Sequence, residues 1–305
     1  MTDAVFPPLI FAKRLQRAAL LATLMGSVLP SVASPVTEAS PQALAAAMAQ
    51  RRSVLLGEVH DNGAQHALRT EALRLRLEAG ARPAIAFEQF DRERQADIDR
   101  VRREQPGNAD ALIEAAGARN WDWKLYRPFV QLALDFDLPI VAANLSRRDA
   151  VKVSTQGWSA LFDATEQAAH GLDRLPAEFV ADHERAVARG HCDLLPAESL
   201  PSMARAQIAR DLVLARSLLP YLARGVILLT GNGHVRKDMG VPYWLTAEQR
   251  RDVIAIGLLE ADSWEDGVAI EDLQRRFDVV LKTEPAERPD PCEALRKRLA
   301  PAARP

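Results

Sequence analysis

Residues 53–62 read Ser-Val-Leu-Leu-Gly-Glu-Val-His-Asp-Asn, a short apolar run that breaks abruptly into acidic, imidazole and amide groups. Runs this short and this uniformly apolar are buried on both faces, as strands of a parallel sheet are. Five more occur further along, at 84–87, 138–143, 226–230, 253–258 and 277–281. Helical patterns lie between them: 65–79, with Leu68, Ala72, Leu75 and Ala79 on one stripe, then 126–137 and 203–223. This alternation predicts an α/β fold with a mostly parallel central sheet flanked by helices. Residues 145–224 hold no strand pattern and read as a helical insertion between the third and fourth strands, able to cap the sheet. The domain is expected over 41–284, and the tail 285–305, rich in Pro, Arg and Ala, is expected to be loosely ordered.

In an open parallel sheet, ligands bind beyond the carboxyl ends of the strands. After the first run come Glu58, His60, Asp61 and Asn62; after the second, Glu88 and Gln89; after the third, Asn144. After the fourth comes Gly231-Asn232-Gly233-His234, and after the fifth Glu260. The sixth ends in Lys282-Thr283-Glu284, ordinary surface residues. Any one of these residues could be a structural hydrogen-bonding group or a helix cap. Burying Glu58, His60, Glu88 and His234 together is costly unless they are paired, hydrated or bound to something. Carboxylate plus imidazole can bind a divalent metal or supply an acid and a base for hydrolysis. His60 and His234 with Glu58 or Glu88 would make a two-histidine, one-carboxylate metal site. The same four residues are the catalytic candidates of a metal-assisted esterase or peptidase. Arg236 and Lys237 could hold an anionic substrate group, although a solvated surface pair is the favoured reading. Asp91, Arg92, Arg94 and Gln95 fit either a polar pocket rim or an ordinary helix start, the latter being the favoured reading for the arginines. Nucleophile-elbow, phosphate-loop and C-x-x-C patterns do not occur.

Hydrophobic residues make up 48% of the 305, enough for a sizeable core, while a net charge of -2 points to neither nucleic acid nor an anionic membrane surface. No apolar run reaches membrane-spanning length. The amino terminus differs in character: Lys13, Arg14 and Arg17 precede the apolar run 18–29, followed by Ser31-Val32-Ala33-Ser34. These are the parts of a signal peptide over residues 1–34, cleaved after Ala33, and they imply export to the periplasm. An uncleaved interfacial helix is the alternative. No cysteine follows the apolar run, so a lipid anchor is not supported. An exported chain could pair Cys192 with Cys292; buried free thiols are the favoured reading.

The sequence also resembles the ChaN-like haem-binding uptake proteins. The likeness is carried by GEVHDN at 57–62 with His66 beyond, FEQFDRERQ at 87–95, Trp121-Asp122-Trp123 and Tyr126-Arg127-Pro128. It continues through Ala142-Ala143-Asn144, His191-Cys192, Met203-Ala204, Gln207, Arg210-Asp211 and GNGHVRKDMGVP at 231–242. The family is similar to a wider superfamily that includes the Tiki metalloproteases and the erythromycin esterases, in whose enzyme branches groups corresponding to Glu58, His60, Glu88 and His234 carry hydrolysis. In the ChaN branch the resemblance implies haem as cofactor and a part in iron uptake. His66, His191 and Tyr243 are the candidate axial ligands, since haem iron accepts histidine or tyrosine. A small-molecule partner and a homodimer are compatible with it.

Overall fold

The computed structural model describes residues 36–261 and 268–299. The signal peptide expected at 1–34 and the last six residues of the expected tail lie outside the described residues.

The chain runs β1 (Val36–Glu38), α1 (Pro41–Met48), β2 (Ser53–Leu56), α2 (Gly63–Glu78), β3 (Ala84–Asp91), α3 (Gln95–Glu104), α4 (Ala109–Ala116), α5 (Trp123–Asp135) and β4 (Ile140–Asn144). Next come α6 (Arg147–Gln156), α7 (Ala164–His170), α8 (Ala177–Gly190) and α9 (Leu200–Leu218). The remainder is β5 (Val226–Leu229), α10 (Asn232–Val235), α11 (Ala247–Arg250), β6 (Val253–Glu260), α12 (Ile270–Arg276), β7 (Val279–Thr283) and α13 (Pro291–Leu299).

The strands form one sheet in the order β1-β7-β6-β2-β5-β3-β4, and every pairing is parallel. Strand β2 lies at its centre, with Val54 beside Ile227 of β5 on one side and Ile254 of β6 on the other. All four of its residues are buried, as its uniform apolar character requires. Two cores follow from the two faces. Leu56, Phe87, Ile227 and Ile256 pack with α1, α2 and α5 on one side, and Leu55, Ala86, Leu228 and Val253 face the other with Leu214 and Leu218 of α9.

The six expected strands are all present, and the structure adds β1, whose three residues are too few to leave a periodic signature. Between β4 and β5 the predicted insertion is helical throughout its regular structure and has its own core around Leu145, Phe162, Leu172, Leu212 and Val213. Helix α2 departs from the predicted stripe. It buries Gln65, His66 and Arg69 along with Ala72, Leu73 and Leu77, whereas Leu68 and Leu75 are half-buried and Ala79 is exposed. The polar side chains turn inward because they serve the strand ends. The reading of free thiols is corrected: Cys192, just past α8, is bonded to Cys292 of α13. The described part of the tail also makes contacts with the domain. Arg288 pairs with Asp61 and Glu260, and Ala286 N–H donates to Glu260 (2.9 Å).

Candidate active site

Because all strands are parallel, the residues after each run meet at one edge. Two carboxylate–imidazole units stand there. The first is built on Glu58, at the end of β2, only 2% exposed. Its carboxylate pairs with the buried Arg69 of α2, accepts from the Tyr126 hydroxyl of α5 (2.5 Å) and accepts from His60 Nδ1 (2.8 Å). Arg69 also donates to the Leu56 carbonyl (3.1 Å) and lies over the Phe129 ring. Burial pulls this guanidinium down to about 10, against the opposing pull of Tyr126 and Glu88, so it remains charged at neutral pH. Burial pushes the Tyr126 hydroxyl up, which keeps it a proton donor. With Nδ1–H committed to Glu58, the half-exposed His60 ring keeps its Nε2 lone pair, and burial lowers its affinity for a second proton. The edge of Trp121 supports this ring (4.9 Å between centroids).

The second unit is built on Glu88 of β3. One of its oxygens accepts from the Thr230 hydroxyl (2.6 Å) and the Gly231 N–H (3.0 Å); the other faces His234 Nε2 at 3.4 Å. On its far side His234 donates Nδ1–H to Asp211 of α9 (2.6 Å), and His183 Nε2 of α8 stands 3.6 Å from the other oxygen of Asp211. Burial alone would lower the His234 imidazole. Asp211 and Glu88 overrule it and raise it to about 10, so His234 is an imidazolium at neutral pH. Burial alone would likewise raise the Glu88 carboxyl, but His234, His60 and Arg210 hold it well below the usual carboxylate range.

Close approach explains two glycines. A Cβ on Gly231 would stand 2.9 Å from the His60 ring, and one on Gly57 would run into Asn232 Oδ1. The rest of the edge is structural. Asn144 links Arg210 (3.1 Å) to Asp91 (3.1 Å), while Glu260 binds Asn62 (2.7 Å) and Arg288 at the side of the site.

His234 yields a pH prediction. Its folded value of about 10 lies above 6.5, so its stabilisation is complete below about pH 6.5 and is lost progressively as pH rises toward 10. Urea midpoints of the wild type should fall across that window, and those of His234→Gln should not. Parallel curves for the two proteins would show that His234 does not hold its proton.

The structure therefore brings together Glu58, His60, Glu88 and His234, and adds Tyr126, Arg69 and Asp211. Of the haem-ligand candidates, His66 is 3% exposed and closed off, its Nε2 donating to the His60 carbonyl (3.0 Å) under the Tyr126 ring. His191 is half-buried, with Nδ1 donating to the Val187 carbonyl (2.8 Å). Tyr243 is half-buried and stacked on Phe179 (4.0 Å), with Trp244 against its edge. The metal set His60, His234, Glu58 and Glu88 finds no support. Among the described residues no group of three or more such side chains is arranged to hold an ion. The carboxylates are instead consumed by Arg69, Tyr126, Thr230 and His234.

A parallel α/β domain with a capping helical insertion and an acid–imidazole pair at its carboxyl edge is thus the class defined by fold and site. The family model of haem-binding uptake proteins of the Tiki superfamily, ChaN, matches residues 44–245, and the chain belongs to that family. Among solved structures it is similar to ChaN of Campylobacter jejuni, described with cofacial haem binding. The TM-score is 0.62 at 19% identity, over 78% of this chain and 90% of that one. It is also similar to the type III effector HopBA1 (TM-score 0.44, 14% identity, 81% of this chain and 94% of that one). A mutant of the erythromycin esterase EreC in its open conformation gives TM-score 0.41 at 15% identity, over 72% of each chain. No curated protein matches the chain significantly by sequence.

Proposed function

We propose that the chain is an exported haem-binding protein acting in haem or iron uptake. Membership of the haem-binding uptake family over residues 44–245 is the observation that carries this reading. The donor chemistry fits. Both cysteines are committed to each other and His66 is enclosed, while tyrosine oxygen and imidazole donors remain outside the core. Of the three tyrosines, Tyr126 is buried on Glu58 and Tyr221 packs against the core beside β5. Tyr243 combines a phenol with flanking aromatic rings on which a flat porphyrin can lie, and His191 keeps Nε2 open as the imidazole candidate. When bound, haem would supply a ferric centre for a phenolate to hold. Hemin titrated into protein recovered from the cell envelope, with the mature amino terminus read by mass spectrometry, tests this. The wild type should shift the Soret band at micromolar protein. Tyr243→Phe should weaken binding by at least about tenfold, the loss of a ligand bond worth about 1.4 kcal/mol or more. No shift in the wild type would end the haem reading.

A second reading is hydrolysis without metal, favoured by the Glu58–His60 pair with its open Nε2. In it His60 takes a proton from water and the His234 imidazolium stabilises the negative charge that develops on the substrate. On a panel of esters and peptides, His60→Ala should lower any turnover about 100-fold or more. A wild type without turnover would end this reading.

A further inference from the structure

The edge of the sheet opposite the acid–imidazole site carries a charge pattern that the near-neutral total conceals. Immediately before β2 come Arg51 and Arg52; before β3, Arg82; before β5, Arg224; before β6, Arg250 and Arg251. These four strands are consecutive neighbours in the sheet, so the six side chains spread over about 15 Å at the usual strand spacing. All six are exposed. Among the described residues none of them has a carboxylate partner. Their side-chain hydrogen bonds run to backbone carbonyls: Arg51 to Gln50 (2.9 Å), Arg52 to Ala223 (3.0 Å), Arg82 to Leu77 and Ala81 (2.8 Å each), Arg224 to Arg82 (3.3 Å) and Arg250 to Pro242 (3.5 Å). This contrasts with the exposed arginines of the helices, such as Arg74, Arg100 and Arg185, each of which pairs with acids on its own helix. Most carboxylates on this edge are already engaged, Glu78 by Arg74 among them. Asp278 is occupied by Lys237 (2.8 Å) and the Ala255 N–H (2.8 Å), Asp137 by Arg102 (2.8 Å), and Asp252 and Glu248 are exposed beside Arg251 and Arg250.

Arg51, Arg250 and Arg251 also line a cleft of about 370 Å³, together with the Lys237–Asp278 ion pair. A guanidinium offers paired N–H donors matched to phosphate oxygens, and several around one recess suit an anionic headgroup. Leu219, one of three exposed large hydrophobic side chains among the described residues, lies in the turn that leads to Arg224. The chain itself enters the sheet at this edge, since β1 begins there at Val36.

We propose that this arginine edge is a docking surface for an anionic phospholipid membrane. Phosphate headgroups seat between Arg51, Arg250 and Arg251, Leu219 dips into the interface, and the carboxyl edge with its acid–imidazole site faces away from the lipid, open to ligand. The proposal is independent of whether the ligand is haem.

Flotation of the purified protein with vesicles tests it, comparing phosphatidylcholine alone with a mixture of phosphatidylglycerol and phosphatidylcholine, at low and high salt. The wild type should bind only the mixed vesicles and be released by salt. The triple variant R51Q/R250Q/R251Q removes side chains with little structural role, and its melting temperature should match the wild type. It should bind about a hundredfold more weakly, following the roughly fivefold contributed by one basic residue at an anionic surface. R147Q/R148Q/R185Q removes the same charge from α6 and α8, with Arg147 and Arg148 at the carboxyl edge directly after β4, and should bind as the wild type does. Equal loss in both variants, or binding that ignores phosphatidylglycerol, overturns the proposal. So does a protein that binds inorganic phosphate at the cleft but no vesicles, since the edge is then a soluble-anion site.

Discussion

Replacing Arg69 with Met is expected to destabilise the protein by about 3–5 kcal/mol, the cost of leaving one partner of a buried ion pair uncompensated. Both side chains of the Arg69–Glu58 pair are fully enclosed, so water cannot replace the lost guanidinium. Tyr126 and His60 still donate to Glu58, but neither brings a full charge at neutral pH. The Leu56 carbonyl, at the end of the central strand, loses its donor in the same step. The double variant Glu58→Gln/Arg69→Met should recover much of the loss, because the carboxylate that needed the guanidinium has gone. Urea denaturation of the four proteins in this cycle measures the coupling. Additive losses would show that Arg69 acts through packing alone.

Loss of the Cys192–Cys292 bond is expected to cost about 2–4 kcal/mol, mostly by freeing the unfolded chain. The bond closes a loop with a sequence separation of 100 that contains β5, β6 and β7. It also ties α13 to the end of α8, so limited proteolysis should cut near residue 290 once the bond is open. The wild type should melt several degrees lower in reductant, and Cys192→Ser/Cys292→Ser should melt at that lower temperature with or without it. A wild type indifferent to reductant would show that the bond contributes nothing.

The parallel sheet was legible in the sequence because its strands are buried on both faces and advertise themselves as short apolar runs. The same logic placed Glu58, His60, Glu88 and His234 on one edge, since every parallel strand delivers its last residue to the same side. The partners of those residues were not legible. Arg69 sits on a helix whose apolar stripe was read one face away from the true one, because an inward-facing guanidinium looks like a surface residue in a hydrophobicity pattern. Asp211 and Tyr126 lie inside motifs that carry the family likeness, in Arg210-Asp211 and Tyr126-Arg127-Pro128, but nothing in local spacing aims them at His234 or Glu58 from 23 and 68 residues away. The disulfide was missed for the same reason, as its two ends meet only through the fold. The arginine edge is hidden in the total charge because acids elsewhere cancel it, and only the strand order gathers those arginines into one row.

Strand β2, made early, finds both of its neighbours late: Val54 pairs with Ile227 and Ile254. The middle of the sheet therefore stays open until about residue 260 has left the ribosome, and closing such distant pairs is slow. A nascent chain of this topology cannot seal its core prematurely. That delay leaves a polypeptide pliable until its last third has been made.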